Sequence, residues 1–329
     1  MLDPARPRNS RTHGLDEMQP NLSSVFEAWK PYLASTSKGP CIVLDLSPRL
    51  TQELRDGVES IVESFWPGIG KTWTWMSRGG GRVDRLELWL GGVATPNVGT
   101  IVQKRLELKN FPAFSIEAAC SGFIYALNIA DKFIKSGDSK CALVIGAETL
   151  SRITNWDDRN TCVLFADGAG AAILKPSDDR GIVFSELGAN GEYAELLHVP
   201  YGTSRKPETP NADDYKLKMS GNEVFKVAVK TLEEIAIDAL VKANLESRDI
   251  DWFIPHQANM RIIQAVAKRL DLPKEKVILS MDIHGNTSAA SIPLAFDRAV
   301  QDGRIKKGDT ILMQSFGAGF TWGSVILDL

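Results

Sequence analysis

A cysteine, a histidine and an asparagine, each where an extended segment or turn gives way to a helix, carry the chemistry legible in this chain. Cys120 stands in Ala118-Ala119-Cys120-Ser121-Gly122-Phe123. The preceding residues, 111–118, lack helical periodicity and read as extended. After it, Phe123, Ile124, Leu127, Ala130 and Ile134 recur at helical spacing, and Gly137 supplies a stop. A thiol in the first turn of a helix meets unpaired N–H groups and the positive dipole end. Both favour the thiolate, so the expected pKa lies below the free value of about 8.5. Small neighbours leave room for a substrate, although a buried, inert cysteine is the common alternative. His256 follows the short apolar run Trp252-Phe253-Ile254-Pro255 and precedes a helix bearing Ile262, Ile263, Val266, Ala267 and Leu270. A histidine there opens onto the crevice at the carboxyl ends of an α/β sheet. Asn286 lies in the turn His284-Gly285-Asn286-Thr287-Ser288, before another helix. Singly, His256 reads as a structural histidine and Asn286 as a turn or cap residue. Together with Cys120 they make a set of thiol, imidazole and amide.

That order, Cys then His then Asn, is also the order of papain-like proteases. The context argues against a protease. No Cys-Gly-[Ser/Ala]-Cys-[Trp/Tyr] signature surrounds Cys120, and the nucleophile lies mid-chain.

The elements that must position these groups alternate. Residues 141–146, 162–166, 171–174, 252–254, 310–314 and 323–328 read as strands, and 121–136, 222–243, 260–270 and 288–301 as helices. This is an α/β pattern. Gly168-Ala169-Gly170 and Gly317-Ala318-Gly319 form an internal echo, each following one strand and preceding another. Gly70-Lys71-Thr72 imitates a P-loop ending, but Phe65 occupies the first glycine position. Gly168-Ala169-Gly170 has Ile173 where a dinucleotide loop needs its third small residue, so it reads as a structural turn. With 329 residues the chain can bury a substantial core, and a net charge of −3 argues against nucleic acid as the main partner. Its apolar stretches fall short of the roughly 18 residues of a membrane span. The first twenty residues carry Asp3, Arg6, Arg8, Arg11, Asp16 and Glu17 without an apolar run, which suits neither a signal nor a transit peptide. Four scattered cysteines without metal-type spacing fit a reducing cytoplasm, with Cys41, Cys141 and Cys162 inert.

From residue 101 to 329 the chain resembles β-ketoacyl-acyl-carrier-protein synthase III, a condensing enzyme of the thiolase superfamily. The resemblance rests on the Cys120 motif, Thr161-Cys162-Val163-Leu164-Phe165-Ala166-Asp167-Gly168-Ala169-Gly170, Ser220-Gly221-Asn222-Glu223-Val224-Phe225, Pro255-His256-Gln257-Ala258-Asn259, Gly285-Asn286-Thr287-Ser288, and Phe316-Gly317-Ala318-Gly319-Phe320-Thr321-Trp322-Gly323. It implies a five-layer αβαβα fold of two similar halves, 1–178 with Cys120 and 179–329 with His256 and Asn286. The halves would join near the polar segment 175–179. The implied reaction has two stages: Cys120 takes the acyl group of a short acyl-CoA, and malonyl-acyl-carrier protein then decarboxylates and condenses with it. His256 and Asn286 would donate to the thioester oxygen, and the backbone N–H groups of Cys120 and Ala318 to the tetrahedral intermediate. Neither metal nor cofactor is expected beyond coenzyme A thioesters as substrates. The resemblance further implies Arg159 against the adenine, Gly221 and Phe225 along the pantetheine tunnel, Asn259 beside His256 in the pocket, Phe316 among the substrate-binding residues, Arg261 at the tunnel mouth facing phosphate or carrier protein, and a homodimer. Phe225 also fits a helix core, and Arg159 and Arg261 also fit solvated surface charges. Within the same fold, a condensing enzyme of specialised metabolism is an alternative. A catalytically impaired partner protein is a second.

The first eighty residues depart from the family. Its Gly-rich opening strand, Asp-Glu-Trp-type segment and Arg-Thr-Gly-type loop are missing, and five of the eight tryptophans crowd into residues 29–89. A divergent lobe or an altered reading frame accounts for this, and the frame change is the preferred reading. Val98-Gly99-Thr100 is shorter than the family's loop, which lines a partner's pocket. Residues 195–215, rich in Pro, Gly and Thr, read as a lobe beside the pocket mouth.

Overall fold

The computed structural model describes residues 85–89 and 96–329, apart from 106–109, 179, 203–207 and 210. The atypical opening eighty residues, and Cys41 among them, lie outside the described residues.

The periodic segments fold as helices with their apolar faces inward. Helix α1 (Val98–Arg105) starts at Asn97, whose Oδ1 accepts from Thr100 N–H at 3.0 Å. Val98-Gly99-Thr100 is therefore the first turn of a helix. In α2 (Gly122–Lys135), Phe123, Ile124, Leu127, Ala130 and Ile134 are buried, and the chain leaves through Gly137 at φ 83°. Helix α3 (Gly221–Ala243) ends on Asn244 in the left-handed conformation, and α4 (Met260–Arg269) starts where the Asn259 side chain accepts from Ile262 N–H. A single turn, α5 (Met281–His284), and α6 (Ser291–Gln301) complete the α-helices among the described residues.

One sheet has the order β2–β1–β3–β4, with β1 (Arg85–Trp89) parallel to β2 (Ala113–Ser115) and β3 (Ala142–Thr149), and β4 (Asp167–Leu174) antiparallel to β3. The other runs β5–β10–β9–β8. There β8 (Trp252–Pro255) lies parallel to β9 (Thr310–Gly317), while β10 (Thr321–Asp328) is antiparallel to both β9 and β5 (Ile182–Ala189). Each sheet thus repeats one unit, a parallel neighbour beside an antiparallel pair: β1–β3–β4 and β8–β9–β10. A short ribbon of β6 (Leu197–His198) and β7 (Lys218–Met219) stands apart.

Helices α2 and α6 lie between the sheets, sharing one apolar core with β3, β4, β9 and β10. Fully burying a side chain such as Phe123, Ile124 or Phe296 contributes roughly 1.5–3 kcal/mol each. A second core joins α3 and α4 to β8, β9 and β10, and α1 packs on β1 and β2. The result is the expected five-layer α/β architecture. The chain passes from one sheet to the other between β4 and β5.

Two expectations fail. Residues 162–166 are not a strand: Asp158 winds 158–162 into successive turns, its carbonyl accepting from Cys162 N–H at 2.9 Å and its carboxylate from the Thr161 hydroxyl. Only Phe165 pairs, in a single bridge to Asn286. Nor is 168–170 a turn, since it lies inside β4. The glycines are there because a Cβ on Gly168 would stand 2.8 Å from Thr287 Cγ2, and one on Gly170 2.8 Å from Pro293 Cβ. They let the segment leading into α6 press onto the sheet.

Candidate active site

Cys120 occupies a 3-10 turn (Ala119–Ser121) immediately before α2, reached through Ala119 at φ 47°. A non-glycine residue in this region is uncommon and marks a turn held by its surroundings. Three side-chain bonds hold this one against the β9–β10 turn. Ser121 Oγ donates to Thr321 O at 3.0 Å, Thr321 Oγ1 to Ala118 O at 2.9 Å, and Ser315 Oγ to Cys120 O. Gly317 permits the approach, because a Cβ there would meet Cys120 N at 2.7 Å. As a result the backbone N–H groups of both Cys120 and Ala318 face the sulfur.

The electrostatics correct the first expectation about this thiol. Burial pushes it up to about 12, outweighing the lowering by the Ser288 hydroxyl and the two N–H donors, while nearby Glu148 raises it further. Helix-end donors are present as anticipated, but the sulfur is deep enough for desolvation to win. Near pH 7 Cys120 is therefore a thiol.

His256 leaves the end of β8 with its N–H bonded to Gln314 O at 2.7 Å. Its Nδ1 lies 2.6 Å from Ser291 Oγ, which also accepts from Gln257 N–H at 3.3 Å. Burial lowers its pKa to about 4, so the ring is neutral near pH 7. Gln257 fixes the loop from behind: its amide donates to Pro255 O and Ile278 O, and its oxygen accepts from Ser280 N–H. Asn286 is clamped by backbone bonds to Leu164 and Ala166, and its Oδ1 accepts from Ser288 N–H at 3.0 Å. That bond leaves the Asn286 amino group for the cavity.

Cys120, His256 and Asn286 share a cavity of about 570 Å³. Of the substrate residues implied by sequence, Gly221, Phe225, Asn259, Arg261 and Phe316 also line it. Phe225 does so while packing on the second core, and Asn259 while capping α4. The Arg261 guanidinium lies 5.0 Å from the Phe225 ring centre, and Phe316 packs on Phe320 and Trp322. Arg159 is exposed and does not line the cavity, although its neighbour Asn160 does. The 195–215 region contributes Leu197, and the 162–166 segment contributes Leu164 and Phe165. Cys141 is buried and Cys162 half-buried, both away from the lining. Sequence reasoning missed Ser291, Ser288 and Glu148. Only Glu148 left a signal, as the one charged residue in the run Ala142–Thr149, whose other residues but Thr149 are apolar or glycine.

No described helix is long and apolar enough to cross a membrane. Residues 114–191 match the family model of 3-oxoacyl-[acyl-carrier-protein] synthase III, and 240–329 match the model of its C-terminal region. The chain is 53% identical over 232 residues to β-ketoacyl-[acyl-carrier-protein] synthase III of Thioalkalivibrio sulfidiphilus, covering 70% of this chain and 72% of the relative. For the Xanthomonas campestris protein of the same name, identity is 49% over 257 residues, 77% of this chain and 79% of that one. Among solved structures, 3-oxoacyl-[acyl-carrier-protein] synthase III of Aquifex aeolicus superposes with a TM-score of 0.70 at 46% identity, covering 75% of this chain and 77% of that chain. The Thermus thermophilus synthase III gives 0.71 at 37% identity, covering 90% and 86%. With its fold, its three convergent side chains and these relatives in agreement, the chain belongs to the β-ketoacyl-acyl-carrier-protein synthase III family of thiolase-fold condensing enzymes.

Proposed function

We propose that the protein starts fatty-acid synthesis by joining a short acyl group, delivered by coenzyme A, to malonyl-acyl-carrier protein. The observation that carries this reading is the convergence of Cys120, His256 and Asn286 on one cavity, with two backbone N–H groups aimed at the sulfur.

In the first stage Cys120 attacks the acyl-CoA thioester. Negative charge develops on the carbonyl oxygen, where the Cys120 and Ala318 N–H groups stand ready to donate. Coenzyme A leaves as its thiolate and takes up the proton that Cys120 gives up on attack, and the acyl group stays on Cys120 as a thioester. In the second stage malonyl-acyl-carrier protein loses carbon dioxide, and the electron pair of the broken C–C bond forms an enolate. Ser291 accepts from Gln257 N–H, so its own proton is free for His256 Nδ1. The ring proton then sits on Nε2, facing the cavity. Nε2–H and the Asn286 amino group stabilise the enolate oxygen without a permanent charge that would bind the malonyl carboxylate and oppose its loss. The enolate carbon attacks the acyl-Cys120 carbonyl, Cys120 departs and regains a proton, and a 3-oxoacyl-acyl-carrier protein is released.

Gly221, which has no side chain to obstruct the cavity, and the rings of Phe225 and Phe316 give it an apolar stretch suited to pantetheine. Arg261 over Phe225 presents a cation to phosphate or to an acidic carrier protein, and exposed Arg159 serves the adenine. No cofactor takes part, acyl-CoA supply places the reaction in the cytoplasm, and the protein works as a homodimer. As for organisation, 1–178 supplies the nucleophile and 179–329 the donors to the enolate.

The test is mass analysis of the carrier protein after incubation with acetyl-CoA and malonyl-acyl-carrier protein. The wild type forms the 3-oxoacyl product. His256→Ala and Asn286→Ala still acquire acetyl on Cys120 but condense about 10²–10³-fold more slowly, the usual cost of losing one such donor. Condensation at wild-type rate in both variants contradicts the assignment.

A further inference from the structure

One buried acid near the nucleophile has no part in that mechanism. Glu148 lies near the end of β3, is 4% exposed, and points at the segment that carries Asn286 and Ser288. The Ala289 N–H approaches its Oε1 only to 3.5 Å. Ser288 stands between Glu148 and the nucleophile. Its hydroxyl donates to Cys120 Sγ at 3.4 Å and lies close enough to Glu148 to favour the carboxylate, and its backbone is held at φ 51°. A serine hydroxyl has one proton, and here two acceptors compete for it.

We propose that Glu148 governs the nucleophile through Ser288: while Glu148 keeps its proton, Ser288 donates to the Cys120 sulfur, and when Glu148 ionises that donor turns away to the carboxylate. In the acid form the chain runs one way. The carboxylic O–H of Glu148 donates to Ser288 Oγ, and the Ser288 O–H donates to sulfur, supporting thiolate character as the acyl donor arrives. Loss of the Glu148 proton to solvent reverses the Ser288 bond and places a negative charge beside the sulfur. Ser288 is then the group that touches the reacting atom, and Glu148 is a positioning residue acting through it.

The surroundings favour the acid form. Among the described residues, the titratable groups facing Glu148 are Cys120 and, at the start of β4, Asp167. The latter accepts from Ser151 N–H at 2.7 Å and from Ser151 Oγ at 2.6 Å. No described lysine or arginine pairs with Glu148. Burial first, then the Asp167 charge, raises its pKa well above the ordinary carboxylate range, against the lowering by Ser288 and Ala289. Facing Cys120 are Glu148 and, across the cavity, the neutral His256.

The inference rests on Cys120 being the nucleophile, as proposed above, but its test needs neither coenzyme A nor carrier protein. The probe is iodoacetamide, with alkylation of Cys120 in the full chain followed by peptide mass as a function of pH. In the wild type the rate rises with pH and then levels off where Glu148 ionises. Glu148→Gln keeps a donor toward Ser288 but cannot ionise, so its rate continues to rise as a single thiol titration. Past the wild-type break, the ratio of the two rates grows toward about tenfold per pH unit, the dependence of a one-proton equilibrium. Ser288→Ala removes the donor itself and slows alkylation below the break by about tenfold or more, as expected for a lost hydrogen bond to a charged group. Matching melting temperatures for the variants exclude unfolding as the cause. Superimposable profiles for wild type and Glu148→Gln overturn the proposal, as does a Glu148→Gln rate below wild type at every pH, which would make Glu148 a base instead.

Discussion

Replacing Gly317 with alanine adds one methyl group at the point where β9 meets the Cys120 turn. That Cβ would stand 2.7 Å from Cys120 N, 3.0 Å from Ser121 N and 3.2 Å from Cys120 Cα. All three are backbone atoms, so no side chain can swing aside. Restoring ordinary contact at 3.4 Å requires a retreat of about 0.7 Å, the difference between 3.4 and 2.7. The Cys120 turn is tied to its neighbours through Ser315, Ser121 and Thr321. The displacement therefore falls on the next residue, Ala318, whose N–H faces the sulfur. A catalytic group is useful within roughly 0.5 Å of its productive position. Losing one such donor costs about 3–4 kcal/mol in the barrier, or roughly 10²–10³ in rate. Overpacking separately removes about 1–3 kcal/mol of stability. The assay is the rate of acetyl transfer from acetyl-CoA to Cys120, read by intact mass at a temperature where the variant is folded. Gly191→Ala is the control, because a Cβ there meets nothing within 4 Å. Acetyl transfer by Gly317→Ala within threefold of wild type would refute the idea that this close approach builds the donor pair.

Further outcomes follow from the same geometry. Ser291→Ala, which strips His256 Nδ1 of its partner, should slow condensation roughly tenfold while leaving acetylation of Cys120 intact; single-turnover measurements of the two stages separate them. His256 has a folded pKa of about 4 against about 6.5 unfolded, so the unfolded chain binds the extra proton between those values. Its contribution to stability is complete above about pH 6.5 and is lost as pH falls toward 4, at up to about 1.4 kcal/mol per pH unit. Urea midpoints at about pH 4.5 and about pH 7 should differ less in His256→Gln than in wild type. Arg261→Glu should raise KM for malonyl-acyl-carrier protein at low salt, with the difference from wild type shrinking as salt screens the charge.

What the sequence made legible was the local chemistry and the helices. Phe123, Ile124, Leu127, Ala130 and Ile134 pointed to the buried face of α2, and the Gly137 stop stands where spacing placed it. Cys120, His256 and Asn286 announced themselves as polar groups at element boundaries, and they line one cavity. The failures arise from a local turn in one case and from long-range contact or depth of burial in the others. Residues 162–166 look like a strand by composition, but Asp158 turns the chain and Phe165 finds only Asn286 to pair with. Gly168 and Gly170 look like a turn, yet their neighbours are Thr287 and Pro293, more than a hundred residues away. The thiol's pKa was misjudged because a helix end is visible in sequence while depth of burial is not. Ser288 and Ser291 pass as small residues near a turn until β3 and β8 bring Glu148 and His256 against them.

The central claim is that Cys120 carries the acyl group. Its most direct test is intact-protein and peptide mass after mixing with acetyl-CoA, beside a Cys120→Ala control. The account predicts one acetyl group, located on Cys120 and absent from the control. Acetylation that persists in Cys120→Ala, or that is spread over Cys141 and Cys162, would contradict it.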